Sequence, residues 1–370
     1  MRRLLLLCCV TLLACTLNAQ LLTWSPPFPE ENNAAQNLVI TVDASKGNKG
    51  LLDYANTGDV YIHTGVITSL STGASDWKYS KFEWANTNAA AKATSLGNNK
   101  WSITITGSLR AYYGITNAAE TIQKIAILFR NGDGSKVQRN SDGSDMYIPV
   151  YNNATLVVRI DQPAREPRFT PVPEAQTWAV GTTFTVQAVS SKNSTLKLFH
   201  NAMLVVQAAN VQTLSGTAAI TSPGAQQIIA EASDGTTTTR DTLNIFVASA
   251  SSTAPLPAGV RDGINYEAGD TSAVLVLHAP GKNLVTVLGD FNNWTEGTAY
   301  IMNKTPDGKR FWLRLTGLTK GTEYAYQYNV DGGLKIADPY TEKVLDGAND
   351  PSIPATTYPN LKAYPIGKTT

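Results

Sequence analysis

Cysteine is absent beyond the first fifteen positions. The three cysteines of this 370-residue chain, Cys8, Cys9 and Cys15, all lie in "MRRLLLLCCVTLLACTLNAQ", which has two arginines, an apolar run from Leu4 to Leu13 and a small residue at Ala19. That layout predicts a secretory signal peptide over residues 1–19, with the mature chain starting near Gln20. A membrane span is not expected, because the run falls short of the ~20 apolar residues a bilayer requires. "LLAC" also resembles a lipoprotein box with lipid on Cys15, so secretion and surface anchoring both stand. A chain cut after Ala19 has no thiol for disulfides or metal, and its stability must rest on packing.

An excess of charge of either sign is also missing. The formal charge is +1, and removing Arg2 and Arg3 makes it −1. Such a balance gives no electrostatic ground for nucleic acid or anionic lipid as partner. A neutral ligand or another protein is expected instead, and no cofactor. Histidine is rare: His63, His200 and His278 are the three in the chain, too dispersed to suggest a shared metal or catalytic cluster. Helix signals are nearly lacking too. "NTNAAAKATSL" is short and has no apolar stripe, which predicts a loop or a single turn.

What recurs is short alternating runs rich in Val, Ile, Thr and Tyr, such as "NLVITVDA", "KWSITITGSL", "KIAILFR", "TFTVQAV" and "AVLVLHA". Gly, Asn, Asp and Pro punctuate them, the pattern of β-sandwiches. The expected fold is all-β, with three tandem immunoglobulin-like sandwiches at 21–157, 158–250 and 258–350. Between them, "DQPAREPRFTPVPEAQ" and "ASASSTAPLPAG" have the composition of extended, solvated linkers. Residues 351–370, rich in proline, read as a connection that needs something further to pack against.

In the last of the three, "LVTVLGDFNNW", "GKRFWLRLTGL", "KGTEYAYQYNVDGG" and "KIADPY" follow one another. This succession resembles carbohydrate-binding module family 48, the isoamylase N-terminal-like domain. In the polar turn, Gly289 and the Asn pair tolerate left-handed backbone, Phe291 turns inward and Trp294 is left on the rim. A rim indole offers a flat face to a glucose ring, while Asn292 and Asn293 can bond its hydroxyls. Trp294 packed against its own protein is the competing reading. Members that bind glycogen strongly carry a second Trp and a Lys where this chain has Leu334 and Gln327. The departure favours a docking role for this domain over tight sugar binding.

The closing run "IADPYTEKVLDGANDPSI" and its tail are similar to the entry into the barrel of glycoside hydrolase family 13, the α-amylase group. Such a barrel takes ~250 residues and a pair of catalytic carboxylates. No carboxylate pair of that kind stands in the sequence, so no catalytic residues are assigned and enzymatic activity is left open. The resemblance implies that a family 13 barrel is a partner in a longer gene product.

The first domain is the stronger binding candidate. Strand period places Tyr61 and His63 of "DVYIHTGV" on one face, and Trp77, Tyr79 and Trp84 follow within a short stretch. One strand pair cannot readily bury so many rings, so some are expected at the surface, whereas Trp101 in "KWSITI" reads as core. "FRNGDG" and "NSDGSDMY" resemble the closing hairpin of starch-binding modules of families 25 and 26, whose sugar platform the Tyr-x-His with its downstream Trp also resembles. Val137 stands where those modules often have Trp. "NGDGS" and "NSDGSD" lack the spacing and final Glu of an EF-hand, which predicts hairpin turns rather than calcium loops.

The middle domain is similar to a bacterial immunoglobulin-like spacer, with Trp178 and His200 in its core or at an edge. The function expected is an α-glucan-binding accessory region, for starch or glycogen, of a secreted α-amylase-like enzyme. A structural or adhesive array of sandwiches that binds no sugar is the alternative.

Overall fold

The computed structural model describes residues 20–370 except 153, 177, 179, 333, 348, 366, 367, 369 and 370. The expected signal peptide, with Cys8, Cys9 and Cys15, lies outside the described residues. The chain is all-β, as its alternating runs predict.

Residues 20–151 carry β1 (Leu22–Ser25), β2 (Asn37–Asp43), β3 (Val60–Thr68), β4 (Thr94–Gly97), β5 (Lys100–Thr106), β6 (Ile122–Asn131), β7 (Val137–Gln138) and β8 (Met146–Pro149). One sheet has the order β1-β2-β5-β4; the other joins β3 to β6, with β7 and β8 on the far side of β6. Leu38, Ile40 and Val42 alternate inward along β2 and meet Ile62, Val66, Ile125 and Phe129 from the opposite sheet. Each such burial contributes about 1.5–3 kcal/mol. Trp101 lies in this core, its indole N–H donating to the Thr57 carbonyl at 2.9 Å. The alanine-rich stretch forms one 3₁₀ turn, Ala89–Ala91. A short helix at Leu109–Tyr113, capped by Ser108, was not anticipated.

β9 (Val158–Gln162), β10 (Glu174–Gln176), β11 (Thr183–His200), β12 (Met203–Ala219), β13 (Gly224–Ser233) and β14 (Thr238–Val247) follow. They form one sheet of order β10-β14-β13-β11-β12, with β9 also on β11. Register shifts near the middle of β11 let its first half pair with β9 and its second half with β13. His200 is buried beside Gln226 and edge-on to Phe184, against which Trp178 stacks at 4.7 Å.

The last strands are β15 (Gly263–Tyr266), β16 (Ser272–His278), β17 (Val285–Gly289), β18 (Asn303–Lys304), β19 (Arg310–Thr316), β20 (Tyr326–Val330) and β21 (Leu334–Ile336). The sheets β15-β16-β19-β18 and β17-β20-β21 enclose Leu275, Val287, Phe311 and Tyr328.

Both proline-rich connections, expected to be extended and solvated, stay largely exposed or half-buried but are tethered to the flanking regions by ion pairs and hydrogen bonds. Arg168 pairs with Asp142 at 3.1 Å, Glu174 at 3.0 Å and Glu166 at 2.6 Å, while Arg165 pairs with Asp241 at 2.5 Å. The Pro167 carbonyl accepts from the Tyr147 amide at 2.7 Å. In the second connection, Ser252 and Ala254 exchange backbone hydrogen bonds with Lys304, and Trp312 donates to Ala254. Composition alone cannot show that opposite charges and free carbonyls wait on the flanking regions.

Candidate functional site

The outer face of β3 and β6 is built by a strap. Residues 78–93 run along the free edge of β3, where Val66 and Lys78 exchange amide and carbonyl at 2.9 and 2.8 Å. Lys81 donates to Thr64 and Ala93 to Val60 farther along the same edge. The strap and the residue before it thereby carry Trp84 and Trp77 back to the sheet. His63 stacks on Trp77 with centroids 5.7 Å apart and meets Trp84 edge-on at 5.1 Å. Trp77 meets Tyr147 edge-on at 6.4 Å, and Tyr147 meets Phe169 at 5.4 Å.

Arg130 anchors the other end of this row. Its guanidinium lies 5.5 Å from the Trp84 ring and 5.8 Å from Tyr61, distances at which a cation is attracted to a π face. Its N–H groups donate to the carbonyls of Asn131 at 2.8 Å, Gly132 at 3.0 Å and Asn86 at 2.7 Å. Gly134 completes the seat: its φ is +75°, and a Cβ there would lie 2.7 Å from the Trp84 indole nitrogen. The turns themselves are held by their own side chains, since Asp133 and Asp142 accept from the Ser135 and Ser144 amides.

The predicted residues divide under this geometry. Tyr61 shares a face with His63 as the period requires, but it is only 8% exposed and lies beneath Arg130. The expectation that Tyr61 offers its ring to a ligand is therefore corrected: the buried cation occupies that side. His63 is half-buried with no partner for Nδ1. Burial, helped by the Arg130 charge, holds its pKa below the usual range and favours the neutral ring. Tyr79 is exposed but directed elsewhere, its hydroxyl donating to Glu120 at 2.7 Å. Trp84 is 43% exposed and Trp77 half-buried, so these two indoles, joined through His63, remain partly open to a ligand.

Arg130, Tyr147, Phe169 and Gly134 were not singled out from sequence. For Arg130 the signal was the pairing of β3 with β6, which sets it opposite Tyr61, and for Tyr147 the pairing of β6 with β8, which sets it opposite Ala126. Those pairings join residues too far apart for local periodicity to reveal.

The Trp294 turn is organised differently. Asn292 closes it, accepting from the Gly289 amide and donating to the Val287 carbonyl, both at 2.9 Å. Its amide is thereby engaged in holding the loop, which corrects its reading as a free sugar ligand. Asn293 is exposed and left-handed at φ +51°, and Trp294 is left-handed too at +59°. Gly289, in contrast, is extended; a Cβ there would come within 2.6 Å of the Ala325 carbonyl, so its need is space rather than a left-handed φ.

Trp294 is half-buried rather than free on the rim. Its indole donates to Asp290 at 3.1 Å, and the Lys368 ammonium lies 5.5 Å from the ring. Asp290 also accepts from the Ala325 amide and pairs with Lys362 at 3.0 Å. These donors and the lysine charge outweigh burial and hold its carboxyl below the usual carboxylate range. Leu334 is exposed and Gln327 buried where strong glycogen binders carry Trp and Lys. A cavity of about 550 Å³ in the same region has an apolar floor including Leu275 and Leu315; ion pairs Asp270–Lys320 and Glu323–Lys343 stand at its mouth. Tyr266, Phe291, Tyr324 and Tyr326 also line it, and Tyr266 is 77% exposed.

Comparison with known proteins adds resemblances of fold. No family model and no curated protein matches the chain. Among solved structures, it is similar to fibronectin(III)-like modules of Clostridium thermocellum CbhA at 16% identity, over 25% of this chain and 95% of that one, with a TM-score of 0.20. It is similar to Bacteroides uniformis beta-glucuronidase 3 at 11% identity, over 49% and 24% of the two chains, with a TM-score of 0.21. The Group B Streptococcus pullulanase SAP matches at 14% identity over 45% and 23%, with a TM-score of 0.19. The aligned portion thus spans about a quarter of each of these two enzymes. At these scores the likenesses carry no argument about function.

Proposed function

We propose that this chain is the non-catalytic, glycan-binding accessory region of a secreted or surface-held enzyme, with its main sugar site at Trp84 and Trp77. The observation that carries the reading is the exposed Trp84 ring beside Trp77, seated by His63 and Arg130. Ordered rings at a surface suit the C–H faces of a pyranose, and the near-zero charge of the chain suits a neutral ligand. The starch-module resemblance narrows that ligand to an α-glucan. In this scheme 21–157 binds, 158–250 spaces, and 258–350 with its tail docks a family 13 barrel lying outside these residues. Trp294 then serves the docking domain more than the glycan.

A depletion isotherm on insoluble starch, with cellulose as control, tests the reading. The chain from Gln20 onward is expected to bind starch saturably. Trp84→Ala should weaken binding about 5- to 150-fold, by analogy with the ~1–3 kcal/mol of a ring stacked on a base. Trp294→Ala should have a smaller effect. Unaltered binding by the Trp84 variant would remove the site, and no retention on any α-glucan would favour the purely structural array.

A further inference from the structure

The middle sheet ends in a strand unlike the other sheet margins of the chain. β1, β4, β7, β10, β15, β17, β18 and β21 run two to five residues, and the outer edge of β3 is strapped by Lys78 and Lys92. Short or covered edges are how sheets avoid pairing with other chains. β12 runs 17 residues at the end of its sheet order, paired with β11 alone. Its sequence, "MLVVQAANVQTLSGTAA", contains no Lys, Arg, Asp, Glu or Pro. Met203 is 76% and Leu204 50% exposed. Among the described residues, no side chain or loop caps its outer edge.

One irregularity defines the usable part. Asn210 is left-handed at φ +57°, and the register with β11 shifts on both sides of Val211, which leaves residues 213–219 as a regular arm. In that arm Thr213, Ser215, Thr217 and Ala219 are exposed, while Leu214 and Gly216 are half-buried and Ala218 is buried.

We propose that this arm pairs antiparallel with the same arm of a second copy of the chain, about a two-fold axis through Ser215. Self-pairing sets Thr213 opposite Thr217, Ser215 opposite Ser215 and Leu214 opposite Gly216. Hydroxyl pairs are favourable across strands, and a strand without charge places no like charges in opposition. The contact is isologous, so it closes as a dimer and leaves this edge unavailable for further growth. A charged peptide would find no counter-charge along the arm, which favours the second copy as occupant.

Sedimentation of the chain from Gln20 onward, over a series from micromolar to hundreds of micromolar, measures the association. The unaltered chain should shift from monomer to dimer. T213K combined with T217K places lysine opposite lysine twice and should weaken dimerisation by about 2- to 30-fold. T213K combined with T217E carries the same lysine but meets glutamate in this register, so association should be retained or strengthened. Circular dichroism of both variants checks that the exposed positions leave the fold intact. A chain monomeric throughout the series, a double-lysine variant that associates normally, or a lysine–glutamate variant that fails to associate would each overturn the proposal.

Discussion

Two aromatic turns of this chain look alike in sequence and differ in what they leave open. At the first, His63 packs against both Trp77 and Trp84, a buried arginine lies 5.5 Å from the Trp84 ring, and Trp84 remains 43% exposed. At the second, Trp294 is tied to its own turn through Asp290 and lies beside Lys368. The difference teaches that a tryptophan among polar residues is not by itself a platform. What decides is how much of the ring its ordering groups leave exposed: Trp84 stays 43% exposed, whereas Trp294 is half-buried.

The comparison can be broken most forcefully at Arg130. Replacing it with Met leaves three carbonyls without a charged donor, and unfolding in denaturant is expected to show a loss of about 3 kcal/mol. A loss well below 1 kcal/mol would mean that the rings order themselves. A smaller effect is expected at Asp290, where Ala would strand the Trp294 indole and the Ala325 amide. The cost should be about 1–2 kcal/mol, with faster hydrogen exchange over residues 289–295. Unchanged exchange there would dissolve the contrast between the two turns.

The smallest expected effect concerns pH. Folding lowers the His63 pKa, so the folded state binds fewer protons than the unfolded state. Its contribution is fully present above the unfolded value of about 6.5 and declines as pH falls from there toward the folded pKa. His63→Gln should flatten the stability profile in that interval, and an identical slope in the variant would assign the titration elsewhere.

The all-β class was legible because one-sided burial imposes a two-residue period, as in Leu38, Ile40 and Val42. The core placement of Trp101 and the turn at Ala89–Ala91 were legible for similarly local reasons. The site was legible only in part. Sequence placed Tyr61 and His63 on a shared face, but the arrival of Arg130 beside Tyr61 depends on a strand pairing across some seventy residues. Asn292 read as a free ligand because a side chain that closes its own turn resembles, in sequence, one that waits for a sugar.

The first proline-rich connection has a consequence for how the chain is cut. Arg165 and Arg168 would ordinarily be attractive to a trypsin-like protease, which needs an extended segment and a free arginine to fill its specificity pocket. Here both guanidinium groups are held by carboxylates of Asp241, Asp142, Glu166 and Glu174. Nicking at these positions therefore requires local opening, and its rate would report how often the connection lets go.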